Sequence, residues 1–154
     1  MVYRMPRIAI VVSEFNYDIT YLMLQKALNH AKFLGLEVAY VYKVPGTYEV
    51  SFAVKQLLDR EDVEGVVVIG AVIKGETKHD EVIASQTARK LLDLMIQYNK
   101  PIGFGIIGPS ATRSQALERV EDYARRAVEA VAKLLNRSSI FSKMEYSGET
   151  IFIE

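Results

Sequence analysis

Cysteine is absent from the 154 residues, and histidine occurs only at positions 30 and 79. Without cysteine there is no disulfide scaffold, no thiolate nucleophile and no Cys-ligated metal. Two histidines also argue against a His-rich metal site. No sign of charge is in excess: Lys+Arg is 19 and Asp+Glu is 19. Nucleic acids and anionic membranes are met by surplus positive charge, so neither is an expected partner. A small anionic substrate needs only a local cluster of cations and stays admissible. No apolar run approaches the roughly 20 residues that span a bilayer. The start, MVYRMPRIAI, lacks the basic segment, apolar run and cleavage site of a signal peptide. The expected setting is the cytosol. What is present is a chain of single-domain length (1–154), half of it hydrophobic and 25% charged. A domain this long can bury roughly 70% of the surface its unfolded chain exposes.

Four short runs, Arg7–Val12, Glu37–Val44, Gly65–Ile73 and Pro101–Ile107, are β-branched and nearly continuous in hydrophobicity. Strands covered on both faces read this way, which predicts a parallel sheet. Helical spacing of apolar residues predicts helices over Ile19–Leu34 (capped by Asp18, ended by Gly35), Glu49–Leu58, His79–Tyr98 and Ser114–Asn136. Strand and helix alternate, so the expected fold is α/β: a three-layer αβα sandwich around a central four-stranded parallel sheet, with right-handed crossovers. The tail from Ser138 is polar until ETIFIE at 149–154, which either adds an edge strand to a neighbour or frays.

Ligands of open parallel sheets bind beyond the carboxyl ends of the strands. After the first strand stands Ser13-Glu14-Phe15-Asn16, without the glycines that let a backbone approach a dinucleotide's pyrophosphate. Phe15 suits stacking on a flat ring, or else serves as a core residue. After the second strand, Pro45-Gly46 turns the chain, Thr47 can cap a helix, and Glu49 enjoys the helix dipole or accepts from ligand hydroxyls. The backbone at Thr47 and Tyr48 can meet a polar ring edge. After the third strand, Gly75-Glu76-Thr77-Lys78-His79 opens a helix whose free N–H groups, with Lys74 and Lys78, make a phosphate cradle. His79 in the first turn is placed for proton transfer, against the plainer reading of a Thr77 cap and a solvated imidazole. After the fourth strand come Gly108–Arg113 and then Arg119, two weaker candidates for an anion. Together these segments describe acid/base chemistry on a flat polar ring beside a phosphorylated partner.

The segments IVVSEFNYDIT, VPGTYEVSFAVKQL, IGAVIKGETKHDEV and SQALERV, in this order and spacing, resemble the lumazine synthase family, most closely its archaeal branch. GETKH together with VPGTYE is highly specific. The resemblance runs from about Arg7 to Asn136 and implies a flavodoxin-like fold. It also implies condensation of 5-amino-6-ribitylaminouracil with 3,4-dihydroxy-2-butanone 4-phosphate to 6,7-dimethyl-8-ribityllumazine, with loss of phosphate and water and without metal or organic cofactor. Position by position it implies that Phe15 stacks on the pyrimidine and that Thr47, Tyr48 and Glu49 hold the ribitylaminouracil. Ala71, Val72 and Ile73 read the ring edge, Glu76 and Thr77 contact the butanone phosphate, and His79 transfers protons. Phe104 comes from an adjacent subunit, and Arg119 pairs with the phosphate. The implied assembly is a homo-oligomer, a pentamer or a 60-subunit capsid of pentamers.

The chain departs from the common bacterial pattern in three places. The Gly108–Thr112 loop is one residue longer, so Arg113 competes with Arg119 for the phosphate. Asp80 replaces an aromatic, and a lysine beyond the LER motif is missing, with Arg125 or Arg126 in its neighbourhood. Two other readings share the layout: an archaeal-type riboflavin synthase, which dismutates two lumazines, and a non-catalytic flavin-binding protein of flavodoxin-like fold.

Overall fold

A computed structural model describes residues 5–75 and 77–154. Four strands, β1 (Arg7–Ser13), β2 (Glu37–Val44), β3 (Gly65–Ile73) and β4 (Ile102–Ala111), form one parallel sheet in the order β2-β1-β3-β4. Four helices, α1 (Tyr17–Phe33), α2 (Val50–Leu58), α3 (His79–Tyr98) and α4 (Arg113–Ser142), connect or follow the strands. The result is the three-layer, flavodoxin-like α/β sandwich that the alternation predicts. Alternate residues of each inner strand serve opposite layers. Ile8, Ile10, Val67 and Ile69 pack with α1 and α4, whereas Ala9, Val11, Val66 and Val68 pack with α2 and α3. Both sets are fully buried, which is why β1 and β3 read as unbroken apolar runs. Among the described residues no helix is long and apolar enough to cross a membrane.

Four boundaries differ from expectation. Helix α1 begins at Tyr17 behind Asn16, which is left-handed (φ 61°) and makes no side-chain cap. Asn tolerates that conformation, and its amide donates instead to the Ala71 carbonyl at 2.9 Å. Asp18 is therefore a first-turn acid rather than the cap. Thr47 does not cap α2 either: Thr47–Glu49 is a separate 3-10 turn with its own geometry, and α2 follows at Val50. Strand β4 continues past Ile107 through a cis Gly108-Pro109 bond to Ala111, which pairs with Ile73 after a register shift. Gly-Pro read as loop because proline offers no N–H to a ladder, but here the irregularity absorbs it. Helix α4 starts at Arg113 under a capping box in which Thr112 and Gln115 satisfy each other's backbone N–H groups, and it runs to Ser142. Residues 149–154 form no strand in this chain.

At the amino end of β3, Arg60 grips the Asp62 carboxylate with two N–H donors at 2.9 Å, while the Tyr40 hydroxyl of β2 donates to the same group at 2.5 Å. These donors hold the Asp62 carboxyl well below the usual carboxylate range, with the Arg60 bonds the larger cause. A lowered carboxyl stabilises the fold above its unfolded value, ordinarily 3.8, and loses that contribution as pH falls through the folded value. Thermal midpoints of Asp62→Asn should therefore lie slightly below the parent's near neutrality, and the gap should begin to close only as pH falls below about 4. A constant gap across that range would contradict this linkage.

Candidate active site

A cleft of about 350 Å³ opens at the carboxyl ends of β1, β2 and β3. Its walls include Phe15, Thr47, Tyr48, Glu49, Ala71, Val72, Ile73, Thr77 and His79, all of them named from sequence. Phe15 is 72% exposed, so it is not a core residue; its ring faces solvent at the cleft. The turn after β1 holds it there, since Glu14 N donates to Val44 O at 2.8 Å and Phe15 N to Pro45 O at 2.9 Å. Those two bonds also dock the β2 exit loop against Phe15. Glu49 ends the 3-10 turn half-buried, its Oε1 lying 3.4 Å from where a Cβ at Gly46 would stand. No ion pair engages it among the described residues. Ala71 is buried while Val72 and Ile73 are half-buried, and this strand end brings main chain to the cleft wall.

His79 is the first residue of α3 and is exposed on the cleft rim. Its backbone N–H leans toward Thr77 Oγ1 at 3.4 Å, a long contact that only partly fulfils the expected Thr77 cap. Thr77 and His79 thus face the cleft from the start of a 20-residue helix, where free N–H groups favour an anion. Glu76 falls outside the described residues.

Sequence reasoning missed several wall residues. Asn16 lines the cleft, tied through its amide to Ala71 and through its Oδ1 to Arg113 at 2.8 Å. Asp80, 7% exposed, also lines it and accepts from the Ser110 N–H at 2.9 Å, pinning the end of β4 to the start of α3. Ile83 follows one turn after His79; that spacing on a helix was the available signal.

Two predicted residues stand away from the cleft of their own chain. Phe104 is 44% exposed in an apolar depression between β4 and α3, with Leu91, Leu92 and Met95. Arg119 lies exposed on α4 with no ion pair among the described residues. Arg113, its competitor, is occupied: it donates to Asp18 at 2.6 Å as well as to Asn16, and it holds the Asp18 carboxyl below its ordinary value. Arg125 leans toward Glu121 and Asp122, at 3.9 and 3.7 Å.

A parallel αβα sandwich with an exposed aromatic, a carboxylate that has no ion pair among the described residues and a helix-start histidine at its strand ends is of the flavodoxin-like architecture. Within that class, the chain belongs to the 6,7-dimethyl-8-ribityllumazine synthase family, whose sequence pattern matches residues 5–139. It is 75% identical over 150 residues to the 6,7-dimethyl-8-ribityllumazine synthase of the archaeon Staphylothermus marinus, covering 97% of this chain and 100% of that protein. Proteins of the same name from Pyrobaculum arsenaticum and Saccharolobus islandicus are 60% and 57% identical, over 97% and 96% of this chain and 100% and 96% of theirs.

Proposed function

We propose that this chain is a 6,7-dimethyl-8-ribityllumazine synthase, condensing 5-amino-6-ribitylaminouracil with 3,4-dihydroxy-2-butanone 4-phosphate. The observation that carries this reading is the convergence of Phe15, Thr47–Glu49, Ala71–Ile73, Thr77 and His79 on one cleft. Phe15 is the plate for the pyrimidine, the main chain at Ala71–Ile73 meets its polar edge, and Glu49 accepts from ribityl hydroxyls. Thr77 and the start of α3 face the butanone phosphate, which Glu76 also contacts in the family's pattern. The uracil amine attacks the ketone, water leaves to give an imine, and inorganic phosphate is eliminated. Ring closure with loss of a second water then gives the lumazine. Holding amine and carbonyl in register supplies much of the acceleration, and His79 moves protons between the reacting nitrogen and oxygen atoms.

Phe104 and Arg119 complete the site from a neighbouring copy, in this reading, because neither lines its own cleft. The working assembly is then a homo-oligomer in the cytosol, a pentamer or a 60-subunit capsid. Arg119 is the phosphate ligand because Arg113 is held by Asp18 and Asn16, and its planar fork can bind two phosphate oxygens at once. Arg119→Ala should raise KM for the butanone phosphate on the order of tenfold to a hundredfold while moving KM for the uracil little. Equal changes in both constants would contradict the assignment. Supplied with the lumazine alone, the protein should leave it unchanged. Formation of riboflavin would instead support a riboflavin synthase.

A further inference from the structure

Behind the cleft wall lies a hydroxyl that the proposed chemistry does not use. Ser13, the last residue of β1, is completely buried, and its Oγ has no hydrogen-bond partner among the described protein atoms. Buried hydroxyls are normally paired, because losing water without a replacement bond is costly. Its surroundings suggest what it serves. A Cβ placed on Gly70 of β3 would come within 3.3 Å of Ser13 Oγ and 2.9 Å of Thr47 Oγ1, with an Ile106 methylene at 3.4 Å. The two hydroxyls therefore both lie against the spot a Gly70 Cβ would take, so closely that a side chain there would strike Thr47 Oγ1 first. Thr47 is 6% exposed, begins the 3-10 turn that carries Tyr48 and Glu49, and turns its Oγ1 inward toward this space. From its other side the turn is held only loosely, by a 3.5 Å contact from Thr87 Oγ1 to the Thr47 carbonyl.

We propose that Ser13 is a positioning residue for the Thr47–Glu49 turn, acting on Thr47 Oγ1 through one ordered water over Gly70. The water satisfies Ser13 and fixes the Thr47 rotamer. Through the turn, it fixes the backbone and the Glu49 carboxylate that face the uracil substrate. Gly70 is glycine because a Cβ there would press on Thr47 Oγ1 at 2.9 Å and Ser13 Oγ at 3.3 Å and force both hydroxyls out of place. This inference rests on the assignment of the turn to the uracil substrate under the proposed function.

The test is a set of variants read by the two separate KM values, kcat and thermal midpoint. Ser13→Ala and Thr47→Val should each raise KM for the ribitylaminouracil by about three- to tenfold, the range of one net hydrogen bond. KM for the butanone phosphate should stay as in the parent, and the double variant should be no worse than the poorer single one. A merely tolerated orphan hydroxyl gives a different signature: Ser13→Ala with unchanged KM and an equal or higher midpoint, which overturns the proposal. Additive effects in the double variant overturn it equally. Should Ser13→Ala fold poorly, a high-resolution crystal structure of the parent decides: density for one water within hydrogen-bond distance of both hydroxyls is expected, and its absence overturns the bridge. The same crystal test decides if the parent protein catalyses no condensation, an outcome that removes the functional reading without touching the geometry.

Discussion

Replacing His79 with alanine should slow turnover by about 10²-fold and leave measurable activity. A positioned acid or base contributes roughly 10²–10⁴-fold, and the lower end applies where the substrates already react with one another once aligned. The side chain is exposed on the cleft rim, so truncating it leaves the packed layers untouched and the thermal midpoint should stay within a degree or two of the parent's. The loss should appear in kcat, because the imidazole is asked to move a proton rather than to hold a substrate. Steady-state and single-turnover rates equal to the parent's would remove His79 from the mechanism.

The largest stability effect should come from Gly103→Ala. Gly103 sits in β4 on the side facing α4, where a Cβ would lie 2.2 Å from the Ala127 carbonyl oxygen and 2.8 Å from its carbon. Both are helix backbone, which cannot rotate aside as a side chain would. Helix α4 must lift off the sheet, opening the layer it shares with α1 through Ala124, Ala127 and Val131. A cost of at least about 3 kcal/mol follows, at or above the usual range for overpacked cores. For a chain of this length that corresponds to a midpoint lowered on the order of 10 °C. Gly75→Ala is the matched control: its Cβ would meet nothing within 4 Å, and its midpoint should barely move. Equal midpoints for Gly103→Ala and the parent would mean that α4 does not approach the sheet this closely.

Much of the fold was legible because both faces of β1 and β3 are covered, which writes burial into the sequence as continuous β-branched runs. Helices α1 and α3 were legible from their apolar spacing, and α3 matched at both ends. The boundaries that failed did so for identifiable reasons. Asp18 has the right chemistry for a cap, but Asn16 accepts a left-handed backbone and spends its amide on Ala71, a contact 55 residues away that no local pattern carries. The Thr112–Gln115 capping box, by contrast, stood in the sequence and marks the start of α4 more sharply than Ser114 does. The extension of β4 through Gly108-Pro109 depends on a register shift between β3 and β4, with the extra residues in β4, which is a property of the pair of strands.

The site divides in the same way. Phe15, Thr47 to Glu49 and His79 follow from one rule, that strand ends of a parallel sheet converge; Ala71 to Ile73 and Thr77 were named from the family resemblance, and one cleft gathers all of them. Asn16 and Asp80 were harder, because their partners, Ala71, Arg113 and Ser110, belong to other elements. Phe104 and Arg119 could not be placed from one chain's topology at all. The first faces an open apolar depression beside α3 and the second faces solvent on α4, so neither meets the cleft within this chain.

The account stands most directly on a single assay. The purified protein is mixed with 5-amino-6-ribitylaminouracil and 3,4-dihydroxy-2-butanone 4-phosphate, and both inorganic phosphate and lumazine absorbance are followed. One phosphate released for each lumazine formed, at a rate proportional to protein and well above that of the uncatalysed mixture, is the predicted result. A rate no greater than the mixture alone, with the protein folded and assembled, would contradict it.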